Sequence, residues 1–142
     1  MISASIIEPA TIQAYLETEY RIDGDTPAIL KVGTVCPALA ALHKSNHTDC
    51  SAFVTACNPF SQPLNEASNA SRQHALLQEL RRRGLAFVEG IGQHPSNQWP
   101  GEPSFLIFGL GLEAATELGA SLKQNAIVWS GSDALPQLIL LR

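Results

Sequence analysis

A chain of 142 residues with 45% hydrophobic and 15% charged residues has the material for one packed core, and this balance argues against disorder. The net charge of −4 has the wrong sign for a protein that holds nucleic acid through its phosphates, so no nucleic-acid partner is expected. The apolar runs SFLIFGLGL and LPQLILL fall far short of the ~20 residues that cross a bilayer, and MISASIIEPA lacks the basic start and long apolar middle of a signal peptide. A single domain over residues 1–142, cytoplasmic by elimination and without a membrane partner, is the expectation.

In chain order, Pro9 opens a helix reaching about Tyr20, with Ile12, Leu16 and Tyr20 spaced to share a face. Gly24-Asp25 marks a turn and Ala28 to Val32 a strand. Pro37 starts a short helix, PALAALHKS, closed by Asn46. Ser51 to Cys57 is the clearest strand: Phe53, Thr55 and Cys57 alternate with Ala52, Val54 and Ala56, and both sets are nearly apolar, as in a central strand covered on two sides. Asn58-Pro59 stops it.

Asn65 caps the next helix, with Glu66 in its first turn, and the helix runs to Arg83. The basic run Arg81-Arg82-Arg83 before Gly84 suits a helix C-terminus better than a nucleic-acid patch. Leu85 to Ile91 and Ser104 to Leu110 are strands, Leu112 to Leu122 a helix, and Ala126 to Ser130 and Gln137 to Leu141 the closing strands. The fold class is α/β (or α+β), a mixed sheet of five to six strands with packed helices, on one face or both. The central strand-helix-strand-strand-helix-strand order matches a split βαβ core.

At about 100° per residue, Asn69, Arg72, Leu76 and Leu80 fall within an arc of about 80°, so the core stripe of the Asn65 helix begins with an amide and a guanidinium. Such groups need partners or solvent. Asn58 and Ser61 leave the preceding strand at the same edge, and Glu102 and Ser104 flank the start of SFLIFGL. Two accounts stay open. Arg72 and Glu102 form an ion pair that pins a loop, or Arg72 and the helix N-terminus hold an anionic, nucleotide-like ligand while Glu102 handles a proton.

Other groups are weaker candidates. His43, His47, Asp49 and Cys50 resemble a metal cluster, but Asn46 ends the helix between the histidines, and no metal is expected. The three cysteines lack CxxC spacing and fit reduced thiols, with Cys57 buried and inert. Ser61 has no GxSxG elbow, and GLGLEAA lacks the third glycine of a dinucleotide loop, so no cofactor is expected. Trp99 either anchors its loop or stacks on a planar ligand.

TACNPFS, then N-x-x-R with a Leu-rich continuation, then WPGEPSF and QNAIVW resemble, in this order, domain-of-unknown-function family 3293, over about Tyr20 to Trp129. The resemblance places that family's polar positions on Thr55, Asn58, Ser61, Asn69, Arg72, Glu102, Ser104 and Gln124, with Tyr20-Arg21 as a further pair. It implies a bacterial cytosolic protein and supplies no activity. The expectation is a small-ligand site at the edge of the Phe53 strand, with Glu102 as the acid or base and Asn58, Ser61, Asn69, Arg72, Ser104 and Gln124 binding the ligand. The alternative is a non-enzymatic interaction protein whose polar cluster is structural.

Overall fold

The computed structural model describes residues 5–25, 27–96 and 98–142. The elements are α1 (Pro9–Glu17), β1 (Glu19–Ile22), β2 (Ala28–Leu30), α2 (Pro37–Ser45), β3 (Ser51–Val54), a 3-10 turn (Pro59–Ser61), α3 (Glu66–Arg82), β4 (Phe87–Gln93), β5 (Glu102–Phe108), α4 (Leu112–Ser121), β6 (Ala126–Ser130) and β7 (Gln137–Leu140). The protein is α+β. Its strands form one sheet in the order β2-β1-β4-β5-β3-β6-β7, with every neighbouring pair antiparallel.

Two expectations are corrected. The sheet has seven strands, not five to six, and it is antiparallel, not mixed. The additional strand is β1. The first helix stops at Glu17 because the backbone turns extended at Thr18 (φ −65°, ψ 142°), and Tyr20 enters the sheet. Ile12, Leu16 and Tyr20 therefore share no buried face, and Leu16 is 43% exposed. In β1 the alternation of two takes over: Tyr20 and Ile22 are buried while Arg21 is exposed.

The sheet is packed on both sides. On one face Ala52, Val54, Phe105, Ile107 and Ile127 meet Leu76 and Leu80 of α3 and Ala115 and Leu118 of α4. On the other, Tyr20, Ile22, Leu30, Phe53, Leu106, Phe108 and Val128 meet Leu39 of α2. β3 lies between the two clusters, and all four of its residues are buried. The Phe53 ring leans across toward β4, edge-on to Tyr20 at 5.2 Å. It fits only because residue 90 has no side chain: a Cβ there would stand 2.4 Å from the Arg21 carbonyl and 2.9 Å from the ring.

α3 begins as its sequence specifies, with the Asn65 side chain accepting from the Ser68 N–H at 2.8 Å. Its basic end folds onto Glu79, which takes Arg82 at 2.6 Å and Arg83 at 2.7 Å before Gly84 turns the chain at φ +70°. α1 has no buried residue. It lies over the second face of the sheet, with a cavity between them.

Candidate functional site

β3 ends at Val54, and side chains then satisfy the backbone that the ladder no longer serves. Thr55 Oγ1 donates to the Pro103 carbonyl at 2.8 Å and accepts from the Cys57 N–H at 3.0 Å. Gln73 Oε1 accepts from the Ala56 N–H at 3.1 Å. The next turn is strained: Asn58, Phe60 and Ser61 have φ of 49°, 53° and 57°, a left-handed region costly for residues with a Cβ. Lys123, also left-handed at φ 57°, gives its carbonyl to the Phe60 N–H at 2.7 Å, so two strained turns brace each other.

Asn58 and Asn69 lock this turn to α3. The Asn58 N–H donates to Asn69 Oδ1 at 2.9 Å, and Asn69 Nδ2 donates to Asn58 Oδ1 at 2.9 Å. The Leu64 N–H also donates to Asn58 Oδ1, at 3.0 Å, which leaves Asn58 Nδ2 to donate to Glu102 Oε2 at 2.6 Å. The bonds fix which way the Asn58 amide faces.

Arg72 does not pair with Glu102, so the ion-pair account, one of the two left open, is corrected. Its Nε donates to the Ala56 carbonyl at 2.6 Å and its Nη2 to the Leu122 carbonyl at 2.7 Å. Leu122 closes α4, where a cation meets the negative end of the helix dipole. The planar fork thus ties the exit of β3 to the exit of α4, and those acceptors are backbone oxygens with no signature in sequence.

On the opposite side of β3 is a half-open cavity of about 320 Å³. Phe53, Ser104, Val128, Tyr20 and Gly92 contribute to its sheet side, while Ala10, Thr11, Ala14 and Tyr15 of α1 line it from above. Ser61, Gln124, Thr55, Glu102, His94 and Trp99 complete the polar wall. The expected residues therefore divide: Ser61, Glu102, Ser104 and Gln124 line the cavity, whereas Asn58, Asn69 and Arg72 stand behind it. Gln124, buried, donates from Nε2 to the Cys57 carbonyl at 3.0 Å. Ser104 Oγ donates to the Glu102 carbonyl at 2.9 Å.

Burial pushes the Glu102 carboxyl above its ordinary value, and hydrogen bonds from Asn58 and the Trp99 side chain only partly offset this. Among the described residues no cation lies within ion-pair distance of it. Cys57, buried nearby, has its thiol pushed up by the same desolvation and suits packing rather than nucleophilic attack.

Tyr15 and His94 escape sequence reasoning, whereas Trp99 enters it as a stacking surface and Tyr20 as part of a family pair. The Tyr15 hydroxyl is hydrogen-bonded to Ser61 Oγ, and Asn125 Nδ2 donates to both, at 3.0 Å and 3.3 Å. The Tyr20 hydroxyl donates to the Tyr15 carbonyl at 2.7 Å, and burial raises its pKa. His94 Nε2 lies 3.0 Å from Glu17 Oε1 and its Nδ1 accepts from the Ser96 N–H, so its ring clasps the end of α1. Trp99 is 39% exposed at the cavity rim. Helical periodicity misassigned Tyr20, and nothing in the local sequence ties Tyr15 to residues 46 and 110 positions away.

His43 turns into the core, its Nε2 2.8 Å from Ser51 Oγ, and burial lowers its pKa. Among the described residues no three His, Cys, Asp or Glu side chains are grouped to hold a metal ion.

The family model described as a protein of unknown function (DUF3293) matches residues 54–127, just over half of the chain, and the chain belongs to that family. The matched span holds Thr55, Asn58, Ser61, Asn69, Arg72, Glu102, Ser104 and Gln124; α1 and β1 precede it. No curated protein and no solved structure matches the chain. No helix among the described residues is long and apolar enough to cross a membrane.

Proposed function

We propose that the cavity between α1 and the sheet is a small-ligand site in which Glu102 is the acid–base group. Ser61, Ser104 and Gln124 wall it, and Asn58, Asn69 and Arg72 hold those walls in place. One observation carries the reading: a desolvated carboxyl, with no cation beside it among the described residues, lines a cavity of about 320 Å³ rich in aromatic and hydroxyl groups. A carboxyl kept only for stability is expected opposite a cation or out in water, because unpaired burial destabilises the fold. A concave, mostly apolar pocket with a few convergent polar groups is the usual form of a small-molecule site.

The strand order β4-β5-β3-β6, with α3 joining β3 to β4 and α4 joining β5 to β6, supports a split βαβ unit. On that reading α3 and α4 cover one face of the unit and leave the other for α1, α2 and a ligand. The anionic or nucleotide-like ligand that Arg72 suggested has less support, since Arg72 is engaged with two carbonyls and no described lining residue is Lys or Arg.

A thermal-shift screen of amines, nucleobases, amino acids and phosphorylated metabolites, run on the parent protein and on Ala14→Phe, tests the proposal. Ala14 lines the cavity from α1, and a phenyl group there fills it. Compounds that stabilise the parent are expected to leave the variant unchanged. No stabilising compound, or equal stabilisation of the variant, contradicts the site. A second reading, an interaction or regulatory protein, is favoured by one observation: Asn58, Asn69 and Arg72 are engaged by partners within the chain.

A further inference from the structure

Resting on the cavity as a ligand site, we infer that its ligand is a small organic ammonium ion, seated between the Glu102 carboxylate and the rings of Tyr15, Tyr20, Phe53 and Trp99. Charge is the first argument. Glu102 is the one acidic side chain lining the cavity among the described residues, and no Lys or Arg lines it. An anion entering there meets a like charge in a partly dehydrated space. A neutral ligand leaves the carboxylate desolvated, with only the hydrogen bonds from Asn58 and Trp99 to offset the cost. A cation relieves the cost of burying that charge, which has no positive partner among the described residues.

The walls are the second argument. Four aromatic side chains line one cavity with the carboxyl, and ring faces attract an ammonium group most strongly where water is thin. Tyr20 and Phe53 are already held edge-to-face at 5.2 Å, and Trp99 is tied to Glu102 by a side-chain hydrogen bond, so these surfaces are in place before a ligand arrives.

Unused acceptors are the third. Glu102 takes donors from Asn58 and Trp99, fewer than the roughly four lone-pair sites of a carboxylate. Gln124 uses its Nε2 on Cys57, while its Oε1 carries no hydrogen bond from within the described chain. The pair of hydroxyls on Tyr15 and Ser61 adds one more group able to face a polar substituent. A volume of about 320 Å³ sets the ligand at the small end of the usual range.

The test is calorimetric and thermal-shift titration with choline and benzyltrimethylammonium, against 3,3-dimethylbutan-1-ol, the uncharged carbon analogue of choline, and against benzoate. The ammonium probes are expected to bind at least roughly tenfold more tightly than the alcohol. Glu102→Gln is expected to weaken them by a similar factor. Trp99→Ala, at a rim position 39% exposed, removes one ring and its hydrogen bond to Glu102 while the carboxyl itself stays, and is expected to weaken the ammonium probes as well. Equal binding of choline and the alcohol, or preference for benzoate, overturns the ammonium assignment; loss of that binding in Ala14→Phe shows that the cavity reading stands. No binding by any probe overturns the ammonium assignment, and the wider metabolite screen then decides the cavity by itself.

Discussion

Asn58 shows how one side chain can specify a turn. Its amide oxygen takes two donors and its amide nitrogen reaches Glu102, so the left-handed backbone at φ 49° is held by bonds on both sides. Glu102 shows the converse, a group whose environment works against its charge. Its pKa is raised from 4.5, so its contribution to stability is complete below pH 4.5 and is lost as pH rises through the raised value. Glu102→Gln is expected to abolish that decline, so that the variant gains on the parent between acid and neutral pH. Denaturant unfolding across the pH series checks this, and parallel curves would contradict it. Glu79 has the opposite sign: pulled down to about 2 by Arg82 and Arg83, it contributes above its ordinary value and loses that contribution as pH falls through about 2. That ion-paired group is screened by salt, so its contribution is small. Gly90 is a third case. A methyl group there meets the Arg21 carbonyl at 2.4 Å, and Gly90→Ala is expected to destabilise by about 2 kcal/mol or more in the same unfolding assay, with the Phe53 ring displaced.

Among the elements, α1 differs most from what its sequence suggests. Nine residues with no buried side chain make a weak helix by themselves, and polar contacts at its C-terminal end fasten it. These are the Tyr15 hydroxyl on Ser61 and Asn125, the Tyr20 hydroxyl on the Tyr15 carbonyl, and Glu17 on His94. Tyr15→Phe removes the first set and is expected to cost about 1 kcal/mol. The loss should be local. Hydrogen exchange of the α1 amides should accelerate by roughly fivefold or more while β3 and β5 stay protected; uniform acceleration would show that Tyr15 supports the whole fold instead. α3 behaves as its residues predict, and β3 is central as expected but ends at Val54 rather than Cys57. Apolar alternation on both faces makes β3 central, and Asn65, Leu76, Leu80 and Gly84 mark the start, buried face and end of α3. β1 was hidden because four residues of alternation are too few to outweigh the helical spacing of Ile12, Leu16 and Tyr20.

Across the whole molecule, the boundary between legible and hidden follows the range of the contacts. The Asn69–Arg72 continuation of the leucine stripe is a local property of one helix, so sequence periodicity located the polar edge of the sheet. Where Arg72 reaches is not local: its acceptors are carbonyls 16 and 50 positions away, and nothing distinguishes one carbonyl from another in a sequence. The same limit hid the cavity, whose roof comes from α1 and whose walls come from six later strands and the turns beside them. With both faces of the sheet packed, the polar groups fall into two sets with different duties. Arg72 bonds the exits of β3 and α4, and its loss leaves two carbonyls without donors. Glu102 lines the space a ligand would fill. Thermal unfolding of Arg72→Met and Glu102→Gln, each with and without the compound that best stabilises the parent protein, separates these duties most directly. Arg72→Met is expected to lose about 3 kcal/mol, a fall of roughly 10 °C in Tm, yet to keep its ligand-induced shift. Glu102→Gln is expected to match or exceed the parent's Tm at neutral pH and to lose that shift. An Arg72→Met protein that folds as well as the parent but no longer responds to the compound would contradict this division and return the site to the guanidinium.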